Sequence, residues 1–244
     1  MNHQIINKGE TNYPARLLGM KPFMDVALNE DFDSPERLYV SGACLDLLNA
    51  EKTISVVGTR SPFYKAFEIG ELIGKLAASR GITIVSGYAT GIDTSGHLGA
   101  MDSQGNTIAV LGSGINVRVP QKPSLERYVI EKGIFVSEQE NPNEPRGYKH
   151  LMSRDRITAG LSDAIFVIDT DPKGGAVHTA MTGKEQGRKV YAIDWDSLEK
   201  YKSKHLGGNP QVISDGIATA IPILDAEERF EQHIVQILEE LLHR

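Results

Sequence analysis

Basic side chains beside glycine-containing turns are the residues of this sequence whose types and spacing could do chemistry. Arg60 directly follows Gly58-Thr59, and Lys173 directly precedes Gly174-Gly175. An arginine in such a turn can direct two hydrogen bonds to a phosphate that backbone N–H groups also face. The alternative for Arg60 is a surface ion pair with a carboxylate. The predicted phosphate-binding residues lie in these turns, in two similar turns between them, or in a later basic stretch, and they are Gly58, Thr59, Arg60, Ser86, Gly87, Gly91, Gly112, Gly114, Lys149, Arg154, Arg156, Lys173, Gly174, Gly175 and Thr179.

The basic stretch lies between residues 146 and 156. Arg154 and Arg156 flank Asp155, and Arg146 and Lys149 precede them closely. This arrangement predicts either an ion-pair knot around Asp155 or a clamp for an anion, and both remain open. A basic cluster beside glycine turns would suit a chain of backbone phosphates.

Other polar residues near the turns support no catalytic assignment. Asp93 follows Gly91 at a predicted helix start, where a carboxylate stabilises the helix. His97, one turn later, could form an acid–base pair with it, but no second carboxylate has a matching spacing. Thr179 either binds an anion or caps a helix, and His178 either faces a ligand or packs in the core. We predict no catalytic residue.

Several common site types are missing from the sequence. It contains no phosphate-binding loop of the Walker type, which argues against an ATPase. Gly112-Ser113-Gly114 lacks the third glycine of the dinucleotide fingerprint. Neither metal-ligand spacing nor a serine-hydrolase elbow is present. We therefore predict no cofactor and no metal.

The composition favours a water-soluble protein of the cytoplasm. The 244 residues are 40% apolar, no apolar run is long enough for a bilayer, and the N-terminus lacks the features of a secretory signal. The one cysteine, Cys44, excludes an internal disulfide. The net charge of −6 argues against a generally basic surface but leaves room for a local basic groove.

Short β-branched runs alternate with helix-length segments from residue 53 onward. The predicted strands are residues 54–58, 82–86, 107–111, 134–137, 164–168 and 190–193, with helices over 67–76, 92–102 and 123–132. This alternation is typical of a doubly wound parallel sheet. We divide the chain into an irregular N-terminal extension docked on the core (1–50), the main domain (51–225) and a C-terminal helix (226–244). Residues 37–42 could form an edge strand, residues 138–149 a polar loop, and the final helix a core or partner-binding element.

The ordered motifs resemble one family, the DNA-processing protein A group, also called DprA or Smf. The resemblance runs from about residue 13 to residue 216, and its segments are 56–62 (VVGTRSP), 85–93 (VSGYATGID), 108–114 (IAVLGSG), 136–138 (VSE) and 153–162 (SRDRITAGLS). It implies an extended Rossmann-like domain that binds single-stranded DNA, protects it, helps to load RecA recombinase and commonly dimerises. Arg60 matches the arginine after the first strand of the family, Lys149 falls near a basic loop position, and Arg154 and Arg156 match an arginine pair.

The sequence departs from the family at three places. Asp155 stands where the family usually has asparagine, residues 173–179 replace a serine-glycine-serine turn, and the residues after Val119-Pro120 differ. We expect neither the additional N-terminal helical domain nor the C-terminal winged helix of some members.

Two functions from different classes follow. The first is a non-enzymatic single-strand DNA binder that works with a recombinase. The second is a nucleotide-binding sensor or an N-glycosidase, since Gly174-Gly175 and Thr179 resemble a turn of the lysine-decarboxylase-like phosphoribohydrolases. Those enzymes need a glutamate where this chain has Thr182, and Glu185 lies further on. The enzyme therefore ranks lower.

Overall fold

The structure, a computed structural model, describes residues 3–20, 23–25, 30–118 and 123–243. Its strands are β1 (Gln4–Asn7), β2 (Phe23–Asp25), β3 (Glu30–Phe32), β4 (Arg37–Gly42), β5 (Thr53–Val57), β6 (Thr83–Ser86), β7 (Thr107–Leu111), β8 (Gly133–Ser137), β9 (Ala164–Val167), β10 (Lys189–Asp194) and β11 (Thr219–Pro222). Its α-helices are α1 (Ala15–Leu18), α2 (Tyr64–Ala78), α3 (Ile92–Asp102), α4 (Pro123–Lys132), α5 (Tyr148–Gly160), α6 (Gly175–Glu185), α7 (Gly208–Ser214) and α8 (Glu227–Leu242).

A nine-stranded sheet organises the chain in the order β1-β4-β8-β7-β6-β5-β9-β10-β11. The strands from β8 to β11 run parallel. In sequence, the sheet grows from β5 first toward β8 and then, from β9, in the opposite direction. The predicted doubly wound parallel fold is confirmed. Its topological switch point lies between β5 and β9, where loops diverge and leave a crevice.

The N-terminal region is more regular than an irregular extension. β4 pairs antiparallel with β8, and β1 pairs antiparallel with β4. The predicted strand at residues 37–42 is therefore present, but it is the second strand of the sheet and β1 forms the edge. Because β1 and β4 belong to the sheet that holds the main core, residues 4–7 and 37–42 are structurally part of that core.

Helices cover both faces of the sheet. On one face, α2 and α8 pack on β5, β6 and β9, and on the other face α5, α6 and α7 share a second apolar cluster. α8 buries Phe230, Ile234, Ile237, Leu238 and Leu241, which are the residues that its helical spacing predicted for a core face. That face is covered by the chain itself, so the structure supports the core-packing alternative for this helix. Among the described residues, no helix is long and apolar enough to cross a membrane.

Several elements are additional to the predicted ones, and three of them, α5, α7 and β11, lie in the C-terminal half of the chain. α5 begins inside the predicted loop of residues 138–149 and carries the basic stretch, while α7 and β11 follow β10. The departure from the family after Val119-Pro120 lies outside the described residues.

Candidate functional site

A cleft of about 400 Å³ opens at the carboxyl ends of β5 and β9, at the switch point of the sheet. The turn after β5 forms one wall with Gly58, Thr59 and Arg60, and the turn after β9 forms the opposite wall. Ligands of open α/β sheets bind in this crevice. The predicted residues that line it are Gly58, Thr59, Arg60, Gly87, Arg154, Gly174, Gly175 and Thr179.

Backbone hydrogen bonds hold the turn after β5 in place. The Thr59 N–H donates to the Asp169 carbonyl at 2.7 Å, and the Ile92 N–H donates to the Thr59 carbonyl at 3.1 Å. Gly91 has a φ of +80°, and any side chain there would collide with the backbone of Thr59 and Arg60. Glycine at position 91 therefore allows the turn that carries Thr59 and Arg60 to pack closely against the start of α3. The Arg60 side chain is exposed on this fixed turn.

The second wall is the start of α6. Gly174 precedes the helix and Gly175 begins it. The Gly174 N–H donates to the Asp171 carbonyl at 2.8 Å, so the N–H groups that could face an anion are those of Gly175 and Ala176 in the first helical turn. Thr179 lies within the helix and its hydroxyl donates to the Gly175 carbonyl at 3.2 Å, so it does not cap the helix. It lines the cleft, and its binding of an anion stays a prediction. Lys173 is exposed outside the cleft lining, and its N–H donates to Asp171 Oδ1 at 2.9 Å.

The floor of the cleft is a buried charge cluster. Arg154 Nη1 donates to the Val110 carbonyl at 3.0 Å and lies 4.0 Å from Asp93 Oδ2, while its Nε lies 3.1 Å from Asp155 Oδ1. The ion-pair knot is therefore the alternative that the structure supports. A side chain at Gly87 would overlap the Arg154 guanidinium, so glycine there lets the arginine lie under the cleft.

Arg156 is not brought to the cleft. Its guanidinium donates to both carboxylate oxygens of Glu138, at 3.0 and 2.8 Å, and its Nε donates to the Asp33 carbonyl at 2.7 Å. Residues two apart on a helix point in different directions, so α5 cannot present Arg154 and Arg156 to one ligand. Arg156 instead ties α5 to the loop after β8.

Burial sets the protonation of Asp93 and His97. Burial raises the pKa of Asp93 to about 6, and Arg154 opposes that shift. Burial, with Arg154, lowers the pKa of His97 to about 3, and its Nδ1 lies 2.6 Å from the Thr107 hydroxyl. A fully buried neutral imidazole that does not line the cleft cannot exchange protons with a substrate there.

The remaining predicted residues lie around the cleft, and their contact with a ligand stays a prediction. The Ser86 hydroxyl donates to the Val56 carbonyl at 2.6 Å, inside the sheet. Gly112 and Gly114 pack against neighbouring backbone, and the Gly114 N–H donates to the Glu144 carbonyl at 2.9 Å. Lys149 is exposed in the first turn of α5.

The sequence analysis missed Tyr148. This side chain lines the cleft and is 64% exposed. A signal was present, because an aromatic residue among Arg146, Lys149 and His150 is a common pattern of nucleic-acid binding. Leu151, Met152, Thr158 and Asp171 also line the cleft.

The doubly wound sheet makes this chain a Rossmann-like protein, and its cleft lies at the switch point where such folds bind their ligands. A family model described as DNA recombination-mediator protein A matches residues 4–233. The chain belongs to that family.

Individual proteins of this family are similar to the chain in sequence and in fold. The chain is 31% identical to the DNA processing protein DprA of Bacillus subtilis over 206 residues. This matched region covers 84% of this chain and 66% of the Bacillus protein. The structure of DprA from Streptococcus pneumoniae superposes with a TM-score of 0.75 at 28% identity, over 91% of this chain and 71% of the other. A DprA structure from Helicobacter pylori, described for its single-stranded DNA binding mode, has a TM-score of 0.75 at 18% identity over 98% and 97% of the two chains, and it supports the fold alone. The chain spans between 37% and 66% of the length of the curated relatives it matches.

Proposed function

We propose that this protein binds single-stranded DNA, without an enzymatic activity, as a DNA-processing protein. The observation that carries the proposal is the meeting of three features in one cleft: the exposed Arg60, the start of α6 at Gly174-Gly175, and the exposed ring of Tyr148. Phosphates would bind at the cation and the N–H groups, and a base would stack on the ring. Family membership supports the same assignment.

Fluorescence anisotropy with a short labelled single strand of mixed sequence tests this proposal. We expect the protein to bind this strand in low salt, and we expect duplex DNA and free nucleotides to compete poorly with it. Arg60→Ala should weaken binding about tenfold, because it removes charge-assisted hydrogen bonds to phosphate. Arg127→Ala, at an exposed arginine of α4 that does not line the cleft, is the matched control and should bind like the wild type. Failure of the wild type to bind the strand in low salt would overturn the proposal.

We also propose that the protein acts in the cytoplasm as a homodimer that protects single strands and assists a RecA-type recombinase in DNA uptake and recombination. Support comes from membership of a family described as recombination mediators. The protein should increase ATP hydrolysis by a RecA-type recombinase on single strands that are covered by single-strand-binding protein. Sedimentation should give twice the chain mass. Unchanged hydrolysis or a monomer would contradict the respective part.

A nucleotide-binding role is the second candidate, because the cleft volume of about 400 Å³ also suits a mononucleotide. An N-glycosidase is less favoured. Thr182 is buried, Glu185 is exposed, and neither lines the cleft. The carboxylates that do line its floor, Asp93 and Asp155, lie beside Arg154. Release of free base from nucleoside monophosphates by the purified protein would reverse this ranking.

A further inference from the structure

The charge of the cleft changes sign between rim and floor. At the rim, Arg60 is exposed, with Lys149 exposed nearby in the first turn of α5. On the floor, the carboxylates of Asp93 and Asp155 share one guanidinium, that of Arg154, and all three residues are more than nine-tenths buried. A phosphate is attracted to the rim, and it is repelled by two carboxylates held in a medium of low dielectric constant.

The Asp155 carboxylate keeps capacity to accept a hydrogen bond. Its Oδ1 lies 3.1 Å from Arg154 Nε, but that N–H is not aligned for a hydrogen bond. Its Oδ2 lies 3.6 Å from His178 Nδ1, which is longer than a hydrogen bond. A carboxylate offers about four acceptor positions. The Asp155 carboxylate oxygens can therefore accept a hydrogen bond from a ligand that reaches the floor of the cleft.

A nucleobase edge has the complementary chemistry. Adenine, guanine and cytosine each carry an exocyclic amino group that donates hydrogen bonds, at C6, C2 and C4 respectively. Thymine has no amino group, and its one ring-edge donor, N3–H, lies between two carbonyl oxygens that a carboxylate repels. With the phosphates held at the rim, a base is the part of a nucleotide strand that can reach the floor without bringing a negative charge to it.

We propose that Asp155 determines base preference: its carboxylate, with Asp93 beside it, accepts a hydrogen bond from the amino group of a base inserted into the cleft. The protein then prefers strands of adenine, guanine or cytosine to strands of thymine. This inference rests on the proposed binding of single-stranded DNA. The asparagine that the family usually has at this position offers both a donor and an acceptor, so it would discriminate less.

Oligomers of 5-methyl-deoxycytidine and of thymidine test the inference, because the two bases have the same shape and differ in the hydrogen-bonding groups of the ring edge. In anisotropy titrations at pH 7.5, the wild type should bind the 5-methylcytosine strand about tenfold more tightly. Asp155→Asn should reduce that preference to less than about threefold. Asp215→Asn makes the same change at an exposed carboxylate that does not line the cleft, is the matched control, and should keep the preference.

Each outcome bears on one proposal. Equal binding of both strands by the wild type, or a preference for thymine, overturns the base preference and leaves the DNA-binding function standing. A preference that persists in folded Asp155→Asn overturns the role of Asp155. Absence of binding to either strand overturns the proposed function itself. The wild-type comparison needs no variant, so a poorly folded Asp155→Asn leaves the base preference decided by that measurement.

Discussion

At the scale of single residues, Tyr148 supplies an aromatic surface to the cleft. Stacking of a base on such a ring contributes about 1–3 kcal/mol. Tyr148→Ala should therefore weaken binding of single-stranded DNA about tenfold or more, and Tyr148→Phe should keep the affinity. Tyr64→Ala is the control, because Tyr64 is 78% exposed but does not line the cleft. Equal losses in the two alanine variants, measured by anisotropy, would contradict stacking at Tyr148.

Asp93 links stability to pH. Its pKa is raised from about 4 to about 6 by burial. Well below pH 4 the carboxyl is protonated in both the folded and the unfolded state, and well above pH 6 it is ionised in both, so its contribution then no longer changes with pH. Between these values the unfolded state loses the proton first, so the stability that the protonated carboxyl contributes is lost as the pH rises. The difference in pKa corresponds to about 3 kcal/mol.

Urea unfolding of the wild type and Asp93→Asn at pH 4 and pH 7 measures this effect. Between these values the wild type should lose about 2 kcal/mol of unfolding free energy relative to the variant, because at pH 4 the unfolded carboxyl is already partly ionised. A difference between the two proteins that is the same at both pH values would show that Asp93 ionises normally.

At the scale of elements, Asn209 joins the ends of two strands. Its Nδ2 lies 3.2, 3.0 and 2.9 Å from the carbonyl oxygens of Val167, Ile168 and Ile193, and it is fully buried. The preceding Gly208 N–H donates to the Thr170 carbonyl at 2.8 Å, in the turn that forms the second cleft wall. α7 thereby holds the ends of β9 and β10 beside the site.

Asn209→Ala should lower the unfolding free energy by about 2–3 kcal/mol, because it leaves buried carbonyl groups without their donor. Gln211→Ala, on the exposed side of the same helix, should change it by less than about 0.5 kcal/mol. Urea unfolding compares the two variants. Equal stability would mean that α7 is held by its apolar contacts alone.

Some helices and strands could be predicted from local sequence patterns and others could not. Buried parallel strands such as β7 are continuous β-branched or aliphatic runs, and α8 has one apolar face, so both were predictable. α5 was not, because eight consecutive residues from Ser153 to Gly160 are buried, including three charged ones. Ion pairs and carbonyl contacts allow this burial, and no hydrophobic periodicity marks it. β11 is a short edge strand that ends in Pro222, which weakens its strand signal.

At the scale of the whole molecule, the proposed binding of DNA by an acidic chain requires local positive charge. The net charge is −6, and the exposed cations around the cleft are few. With about three phosphates neutralised, log Kobs should fall with log salt at a slope of about −2. Lys149→Ala should reduce this slope by about 0.7, while Lys132→Ala, at an exposed lysine that ends α4, should leave it unchanged. A slope near zero would contradict phosphate binding.

The amino-acid sequence by itself determined the doubly wound sheet, the order of its glycine turns and the family, because buried strands and tight turns leave local patterns. It also placed Arg60 and Gly174-Gly175 at strand ends, which meet in one cleft whenever such a sheet forms. Only the tertiary structure decided which charged side chains line the cleft. Arg154 and Arg156 are both arginines and lie two residues apart in the sequence. Helix geometry nevertheless directs the Arg154 side chain under the cleft and the Arg156 side chain to Glu138. Side-chain direction depends on contacts between residues distant in the chain, and no local pattern records them.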